Sequence, residues 1–116
     1  MKLSHDNIIN LEDFRVVVGN KIAKVFTGRD RGLYVRTTSE IDKIETKYDI
    51  VEIIIPNNIY SINPSFFEEL FDNVVTKLGK DDFLQKFKFT SQGKYNYEKP
   101  LNEAIERILR NKTALD

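Results

Sequence analysis

One short segment constrains the fold more than any other part of the chain. Residues 48–56 read Tyr-Asp-Ile-Val-Glu-Ile-Ile-Ile-Pro, so β-branched side chains occupy most of the segment. Such residues favour a pleated strand, and Pro56 ends it because proline has no backbone N–H to donate to a neighbouring strand. A nearly continuous apolar strand is typical of a parallel sheet that helices cover on both faces. Glu52 interrupts the run and is expected near an edge of the buried region.

The segment that follows this strand predicts the best-defined helix of the chain. Residues 57–62 are expected to form a loop, after which Asn63 is a favourable N-cap and Pro64 suits the first helical position. Gly79 predicts the C-terminal stop, so we expect the helix over residues 64–78. Apolar residues at helical spacing form the stripe that would face the core: Phe67, Leu70, Phe71, Val74 and Leu78.

Weaker signals precede the central strand. Residues 1–11 are mostly polar and are expected to form a flexible tail. Two β-rich runs, residues 14–18 and 21–26, flank the turn signal Gly19-Asn20, which predicts an N-terminal hairpin. Apolar residues then recur at helical spacing and predict a helix over residues 31–46.

The last third of the chain predicts a further strand and helix. Phe87-Lys88-Phe89 alternates as a strand does, and Pro100 is expected to open the final helix. Strands and helices therefore alternate, which predicts helices packed on a sheet through right-handed crossovers. The expected fold class is α/β, a single domain over residues 1–116. It would have a mixed, mostly parallel sheet, an N-terminal hairpin and about three helices packed on the sheet.

Composition excludes several classes of function. The 116 residues are 41% hydrophobic and 31% charged, which suits one globular domain and argues against disorder. Formal net charge is zero, so the basic excess that nucleic-acid binding usually needs is missing. The longest apolar run, Ile53-Ile54-Ile55, is far too short to cross a membrane. We expect a cytoplasmic protein without nucleic-acid or membrane partners; its richness in Ile, Lys and Asn is typical of AT-rich bacterial or phage genes.

Residues that could carry catalysis are scarce. There is no cysteine, and the only histidine, His5, falls in the expected tail, so neither a nucleophilic triad nor a thiolate metal site is predicted. No glycine-rich phosphate loop or Walker-type lysine occurs. The acidic pairs Glu68-Glu69 and Asp81-Asp82 are expected on the solvated surface, because adjacent helical residues point in different directions. We therefore expect no enzymatic activity, no metal and no cofactor.

Three arginines lie close together around a predicted helix start. Arg29, Arg31 and Arg36 could be an ordinary charged turn, or could contact phosphate at the helix N-terminus. They could equally pair with acids of the domain or of a partner. The residues alone leave these interpretations open.

The segment from Ser61 to Ser65 is the most informative loop. It leaves the C-terminal end of the central strand and enters a helix N-terminus, and functional sites gather at that edge in open α/β sheets. A phosphate on Ser65 would interact favourably with the helix dipole and would change the local charge by about two units. The simpler alternative is that Ser65 only satisfies the first turn of the helix.

Several of these motifs together resemble one known family. The run Ile53-Ile54-Ile55, residues 59–71 (Ile-Tyr-Ser-Ile-Asn-Pro-Ser-Phe-Phe-Glu-Glu-Leu-Phe) and residues 78–83 (Leu-Gly-Lys-Asp-Asp-Phe) resemble the STAS-like domain family. This family consists of small bacterial proteins that look like relatives of anti-sigma-factor antagonists. Upstream, Thr27-Gly28-Arg29 and the Gly32-x-x-x-Arg36 spacing are similar to its helix entry, and the resemblance covers about residues 13–110.

The resemblance implies a function in protein–protein regulation. In antagonists of this type, a Ser or Thr at the start of the helix after the central strand is phosphorylated by an ATP-binding anti-sigma kinase. Ser65 matches that position, although this chain has Asn-Pro-Ser-Phe where antagonists usually carry an Asp-Ser-Ser-Gly-like sequence. The implied protein is a non-catalytic interaction module in a bacterial or phage regulatory switch, with a kinase-like ATPase as partner. The expected partner-binding residues are Tyr60, Ser61, Asn63, Ser65 and Glu68.

Two other functions compete with this one. A small-ligand or nucleotide-binding domain would use Arg29, Arg31 and Arg36. A structural or homo-oligomeric role would use exposed aromatic side chains near Tyr95 and Tyr97.

Overall fold

The computed structural model of the protein describes residues 6–115, with side chains described for residues 6–112. The strands are β1 (Ile8–Asn10), β2 (Val17–Val18), β3 (Lys21–Ile22), β4 (Val25–Phe26), β5 (Val51–Ile55), β6 (Ser61–Ile62) and β7 (Phe87–Ser91). The helices are α1 (Arg29–Ser39), α2 (Ile41–Lys47), α3 (Pro64–Lys86) and α4 (Glu98–Leu115), and a short 3₁₀ helix covers Leu11–Phe14. The fold class is α/β, as the alternating sequence pattern predicted.

The isoleucine-rich strand lies at the centre of the main sheet. The strand order is β1-β5-β7, and both pairings are parallel, with Ile53 opposite Ile9 on one side and Phe89 on the other. The expectation of a flexible tail over residues 1–11 is wrong for its described part, because residues 8–10 form an edge strand and Ile9 is fully buried. The first five residues, including His5, lie outside the described part of the chain.

The main sheet has one buried face and one face that is partly open to solvent. Val51, Ile53 and Ile55 alternate along β5 and are completely buried, whereas Glu52 and Ile54 between them are only half-buried. Paired residues of parallel strands share a face, so the exposed Lys88 and Thr90 of β7 lie on the Glu52 side. The sequence-based expectation of helices on both faces is therefore wrong. The Thr90 hydroxyl donates to the Glu52 carboxylate at 2.8 Å.

The N-terminal hairpin is smaller than the sequence predicted and stands apart from the main sheet. Its antiparallel strands β2 and β3 have two residues each and pair around the expected Gly19-Asn20 turn. β4 instead pairs in parallel with β6, and these two form a separate ribbon. The Arg15 guanidinium donates two hydrogen bonds, of 3.0 and 2.9 Å, to the Ala23 carbonyl and so ties the base of the hairpin together.

The helix expected over residues 31–46 is broken into α1 and α2. Glu40 adopts a left-handed conformation, with φ 58° and ψ 40°, at the junction. The Thr37 hydroxyl also donates to the Leu33 and Tyr34 carbonyls, a local competition that weakens the helix near its end. The turn at Glu40 allows Ile41 to be fully buried and Ile44 nearly so.

The long helix α3 is interrupted where the sequence placed its end. Gly79 has φ 81° and ψ 170°, a conformation that an L side chain adopts only with strain, so the helical path breaks there. A second helical stretch then continues to Lys86, and Phe83, which the sequence left between helix and strand, is helical and fully buried. The phenylalanines of α3 pack with those of β7 at centroid distances of 4.7–6.4 Å.

The last helix begins two residues before its predicted start. The Asn96 side chain accepts a hydrogen bond from the Glu98 N–H at 3.0 Å, which caps the helix ahead of Pro100. One apolar stripe of this helix packs on the core, with four members buried and Leu109 partly buried against them. The buried members are Leu101, Ala104, Ile105 and Ile108.

Helices α1 and α3 approach each other closely at one glycine. A β-carbon added to Gly32 would lie 2.5 Å from the Phe66 carbonyl oxygen and 2.9 Å from the Glu69 β-carbon. Only a residue without a side chain permits this contact between the two helices.

Substitution of this glycine is expected to separate the two helices. Gly32→Ala should lower the free energy of unfolding by about 1–3 kcal/mol, the usual cost of overpacking. Thr38→Ala, at an exposed position of the same helix, should change it by less than about 0.5 kcal/mol. Urea denaturation measures both values, and equal stability of the two variants would contradict the close approach.

A buried carboxylate joins α2 to α3. Glu45 is 3% exposed, and its two oxygens accept hydrogen bonds from Lys77 at 2.7 Å and Lys86 at 3.0 Å. The Lys86 ammonium also donates to the Glu45 carbonyl. Burial alone would raise the pKa of Glu45, but the hydrogen bonds from the two lysines outweigh burial and hold that pKa below its ordinary value. The ionised carboxylate is thus a structural element.

The contacts of Glu45 with these two lysines predict that the stability of the fold depends on pH. Because the folded-state pKa of Glu45 is lowered, its contribution to stability is complete above the unfolded-state pKa and is lost as pH falls through the folded-state pKa. Glu45→Gln should cost about 1–2 kcal/mol near neutral pH, and the difference from the parent should shrink below about pH 4. Glu106→Gln, on the exposed part of α4, serves as the control. A pH-independent difference would contradict the ionic role of Glu45.

Candidate partner-binding site

The segment between β5 and α3 is more ordered than its loop-like sequence suggested. Ser61–Ile62 forms β6, which pairs with β4, and Ile62 is buried beneath this ribbon. The Ile62 N–H donates to the Tyr95 hydroxyl at 3.0 Å, which ties the segment to the loop before α4. Tyr60 and Ser61 are therefore presented on a fixed backbone at the surface.

Tyr60 is the most exposed aromatic residue of the segment. Its side chain is 69% exposed, and its N–H donates to the Lys24 carbonyl at 2.7 Å. The Lys24 ammonium lies 5.1 Å from the centroid of the Tyr60 ring, within the range of a cation–π contact. Ser61, opposite Val25 in the ribbon, is also exposed.

Ser65 lies in the first turn of α3 and is half-buried. Both its N–H and its hydroxyl donate to the side-chain oxygen of Asn63, at 2.9 and 2.8 Å. Asn63 is thus the N-cap that the sequence predicted. The next residue, Phe66, is fully buried and fixes the orientation of this turn.

Glu68 does not lie on the solvated surface, where the sequence analysis placed it. Only 4% of the residue is exposed, because it lies where α1 and α4 both approach α3. One carboxylate oxygen is 3.2 Å from the Arg29 guanidinium and the other is 3.8 Å from that of Arg107. In the described structure Glu68 is therefore a partner of intramolecular arginines rather than an exposed contact for another protein. Its neighbour Glu69 is half-buried, and Asp81 and Asp82 are exposed as expected.

The three arginines singled out by the sequence have partners within the domain. Arg29 reaches Glu69 at 3.4 Å as well as Glu68, and Arg36 reaches Glu69 at 3.1 Å. The hydrogen bond and charge of Glu68, followed by those of Glu69, raise the pKa of Arg29. Arg31 instead lies 4.8 Å from the centroid of the Tyr34 ring. Of the open interpretations, this geometry favours pairing with acids of the domain over contact with a phosphate.

Asp72 lies next to this ion-pair network, and the charges of the network affect the pKa of its carboxyl group. Partial burial raises the pKa of the Asp72 carboxyl, and the negative charges of Glu69 and Glu68 add to that effect against the opposing charges of Arg36 and Arg29. The three carboxylates of Glu68, Glu69 and Asp72 thus lie near three guanidinium groups, those of Arg29, Arg36 and Arg107.

An exposed apolar surface beside the loop is the feature that sequence reasoning missed. Five large apolar side chains, which we call the docking face, are between 40% and 73% exposed: Val17, Val18, Ile22, Val25 and Tyr60. They lie close together because β2 pairs with β3, the chain runs directly from β3 into β4, and Tyr60 is hydrogen-bonded to Lys24. Within the hairpin, Val17 and Ile22 lie on one side and Val18 lies on the other, so the docking face wraps around the ribbon. The signal was present in the consecutive Val17-Val18, since successive strand residues point to opposite sides and a two-stranded ribbon cannot bury both.

Tyr95 and Tyr97, expected as exposed contacts, are half-buried instead. The Tyr95 hydroxyl is hydrogen-bonded to the backbone of Ile62, and the Tyr97 ring stacks on Phe89 at 5.2 Å. Their packing gives them a structural role within the domain. A homo-oligomeric state remains a prediction that would need another surface.

Comparison of the chain with protein-family models, curated proteins and solved structures finds no match. The STAS-like resemblance therefore stays a prediction that rests on the sequence motifs. Within residues 6–115 no helix is long and apolar enough to cross a membrane. The same part of the chain holds no group of three His, Cys, Asp or Glu residues arranged to bind a metal ion.

The cap at the start of α3 can be tested directly. Asn63→Ala removes the acceptor of two hydrogen bonds and should lower the free energy of unfolding by about 1 kcal/mol. Ser65→Ala removes only the hydroxyl and should cost less than about 0.5 kcal/mol. Chemical denaturation measures both variants, and an Asn63→Ala protein as stable as the parent would refute this capping arrangement.

Proposed function

We propose that this chain is a non-catalytic, STAS-like protein-interaction module of a bacterial or phage regulatory switch. It binds another protein through the docking face together with Ser61 and Ser65 at the start of α3. The observation that carries the proposal is the exposure of five adjacent large apolar side chains, the least exposed of which is Val25 at 40%.

Exposed apolar surface of this kind is costly unless a partner covers it. Each Å² of apolar surface removed from water contributes about 25 cal/mol, so a partner that covers the docking face gains a large favourable term. Contiguous apolar patches with a polar rim mark interaction sites, and tyrosine is enriched among the residues that dominate binding energy. Tyr60 lies in this patch with the exposed Lys21 and Lys24 beside it. These lysines favour a partner whose rim is acidic.

The hairpin also offers backbone hydrogen-bonding groups. Among the described residues β2 pairs only with β3, so the outer edges of this ribbon are not covered by another strand. An extended segment of a partner can add to such an edge through main-chain hydrogen bonds. Contacts with the apolar side chains of the same ribbon would then determine which partner segments bind.

Ser65 supplies the proposed switch. Its hydroxyl donates to Asn63, and a phosphorylated oxygen has no proton with which to make that bond. The phosphate would add roughly two negative charges at a helix N-terminus, where the dipole favours them. It would also stand within one helical turn of Glu68 and Glu69, which are already held by arginines. We infer that phosphorylation changes the charge that the partner meets and so weakens docking.

The proposed partner is an ATP-binding, kinase-like regulator, as the STAS-like resemblance implies. A photo-cross-linking residue at position 18 or 60 should capture that partner in the source cells, whereas the same residue at position 50 should not. Ile50 is a matched control because it is 44% exposed and lies outside the docking face. Mass spectrometry identifies the captured protein, and binding is then measured with purified components.

Substitutions in the purified pair complete the test. Val18→Asp and Tyr60→Ala should each weaken binding at least about tenfold, and Ile50→Asp should leave it unchanged. Ser65→Asp should weaken binding while Ser65→Ala keeps it. The proposal fails if positions 18 and 60 capture no common partner, or if all the Ser65 and docking-face variants bind like the parent.

A further inference from the structure

A cavity of about 580 Å³ lies away from the loop before α3, between the 3₁₀ helix and the α1–α2 junction. Its volume is in the range of pockets that hold small organic molecules. Its walls carry aromatic rings, carboxylates and one buried hydroxyl. The chemistry of these groups indicates what the cavity can hold.

Aromatic rings form one corner of the cavity. Phe14 and Tyr34 meet edge to face, with centroids 6.4 Å apart and ring planes at 76°, and Tyr48 lines the same cavity. Rings set at steep angles to one another form the walls that recognise organic ammonium ions. The Tyr34 ring already attracts a cation, since the Arg31 guanidinium lies 4.8 Å from its centroid.

Carboxylates line the cavity beside these rings. Asp13 has no ion-pair or hydrogen-bond partner among the described side chains. Its pKa is raised first by partial burial and then by the charge of Glu12, and the positive charge of the N-terminal amino group opposes this shift without reversing it. Asp6 lies against Tyr48, whose pKa is raised by partial burial and by the charge and hydrogen bond of Asp6. Both acids would be stabilised by a cation placed between them and the rings.

A buried hydroxyl in the wall lacks a partner. Ser39 is 4% exposed, and its hydroxyl oxygen makes no hydrogen bond with any residue of the described part of the chain. It is the last residue of α1. The left-handed Glu40 that follows turns the chain around this end of the cavity.

Lys43 and Lys47 also line the cavity, but they do not reverse its preference for a cation. Lys43 lies 3.6 Å from the Glu40 carboxylate, so its charge is offset within the wall. Lys47 is exposed and keeps its own hydration. Among the lining residues, the remaining charges are therefore Asp6 and Asp13 on the negative side and Lys47 on the positive side, while Arg31 lies outside the lining, against the Tyr34 ring.

We propose that this cavity binds a small organic ammonium ion, with its cationic head between the aromatic rings and the carboxylate of Asp13. The apolar substituents of such an ion contact Phe14 and Tyr34, while any hydroxyl or N–H it carries meets the free oxygen of Ser39. The proposal is independent of the docking face and of Ser65.

The test uses choline and its neutral carbon isostere, in which a tert-butyl group replaces the trimethylammonium group. Each is titrated into the full-length protein at constant ionic strength while the backbone amide NMR resonances are followed. Choline should shift the resonances of Ser39, Glu40 and Tyr48 in a saturable way, and should bind at least about tenfold more tightly than the isostere. Benzoate, an aromatic anion of similar size, should not bind.

Variants separate the cavity from other aromatic surfaces. Tyr34→Leu and Asp13→Asn should each weaken choline binding by about three- to thirtyfold, whereas Tyr60→Leu should leave it unchanged. Asp13 and Tyr34 are both solvent-exposed, and the dispersed amide spectrum confirms that each variant is folded. The proposal is overturned if choline causes no localised shift at roughly 50 mM, which corresponds to negligible affinity. It is also overturned if the isostere or benzoate binds as tightly as choline, or if Asp13→Asn has no effect.

Discussion

The packing of β5 against the phenylalanines of α3 and β7 is the interaction on which the rest of the structure depends. Val51, Ile53 and Ile55 are completely buried on one face of the sheet, and β1 and β7 flank the strand on both sides. The aromatic rings of Phe71, Phe83 and their neighbours fill the space beside them. Because this core lies on one side of a three-stranded sheet, α1 and α4 must pack on α3 to complete it. The ion pairs of Glu45 and Glu68 connect the helices to one another.

Much of this core could be predicted from the sequence, because its signals are local and strong. The β-branched run, the Asn63-Pro64 cap and the break at Gly79 all depend on residues within a few positions of one another. The predictions that were wrong required long-range information. Nothing near Ile9 in sequence indicates that it pairs with Ile53, and the pattern of β5 alone cannot show which neighbours cover its second face. The break at Glu40 likewise depends on the positions at which Ile41 and Ile44 pack into the core.

Part of the candidate site could also be predicted from the sequence, because that part depends on neighbouring residues. The sequence placed Tyr60, Ser61, Asn63 and Ser65 together because they lie close to one another in one short segment. It could not show that Glu68 faces Arg29 and Arg107, since these contacts join three different helices. The docking face was missed because apolar residues in short strands normally predict burial, and only the isolation of the β2–β3 ribbon leaves Val18 exposed.

The separation of that ribbon from the main sheet has an evolutionary consequence. Val17, Val18 and Ile22 contribute little to the core, so changes among them cost the fold little stability. The tie between Arg15 and the Ala23 carbonyl uses a backbone acceptor and therefore does not depend on which side chains the ribbon carries. Surface chemistry at the ribbon can thus change by substitution while the scaffold beneath it stays the same.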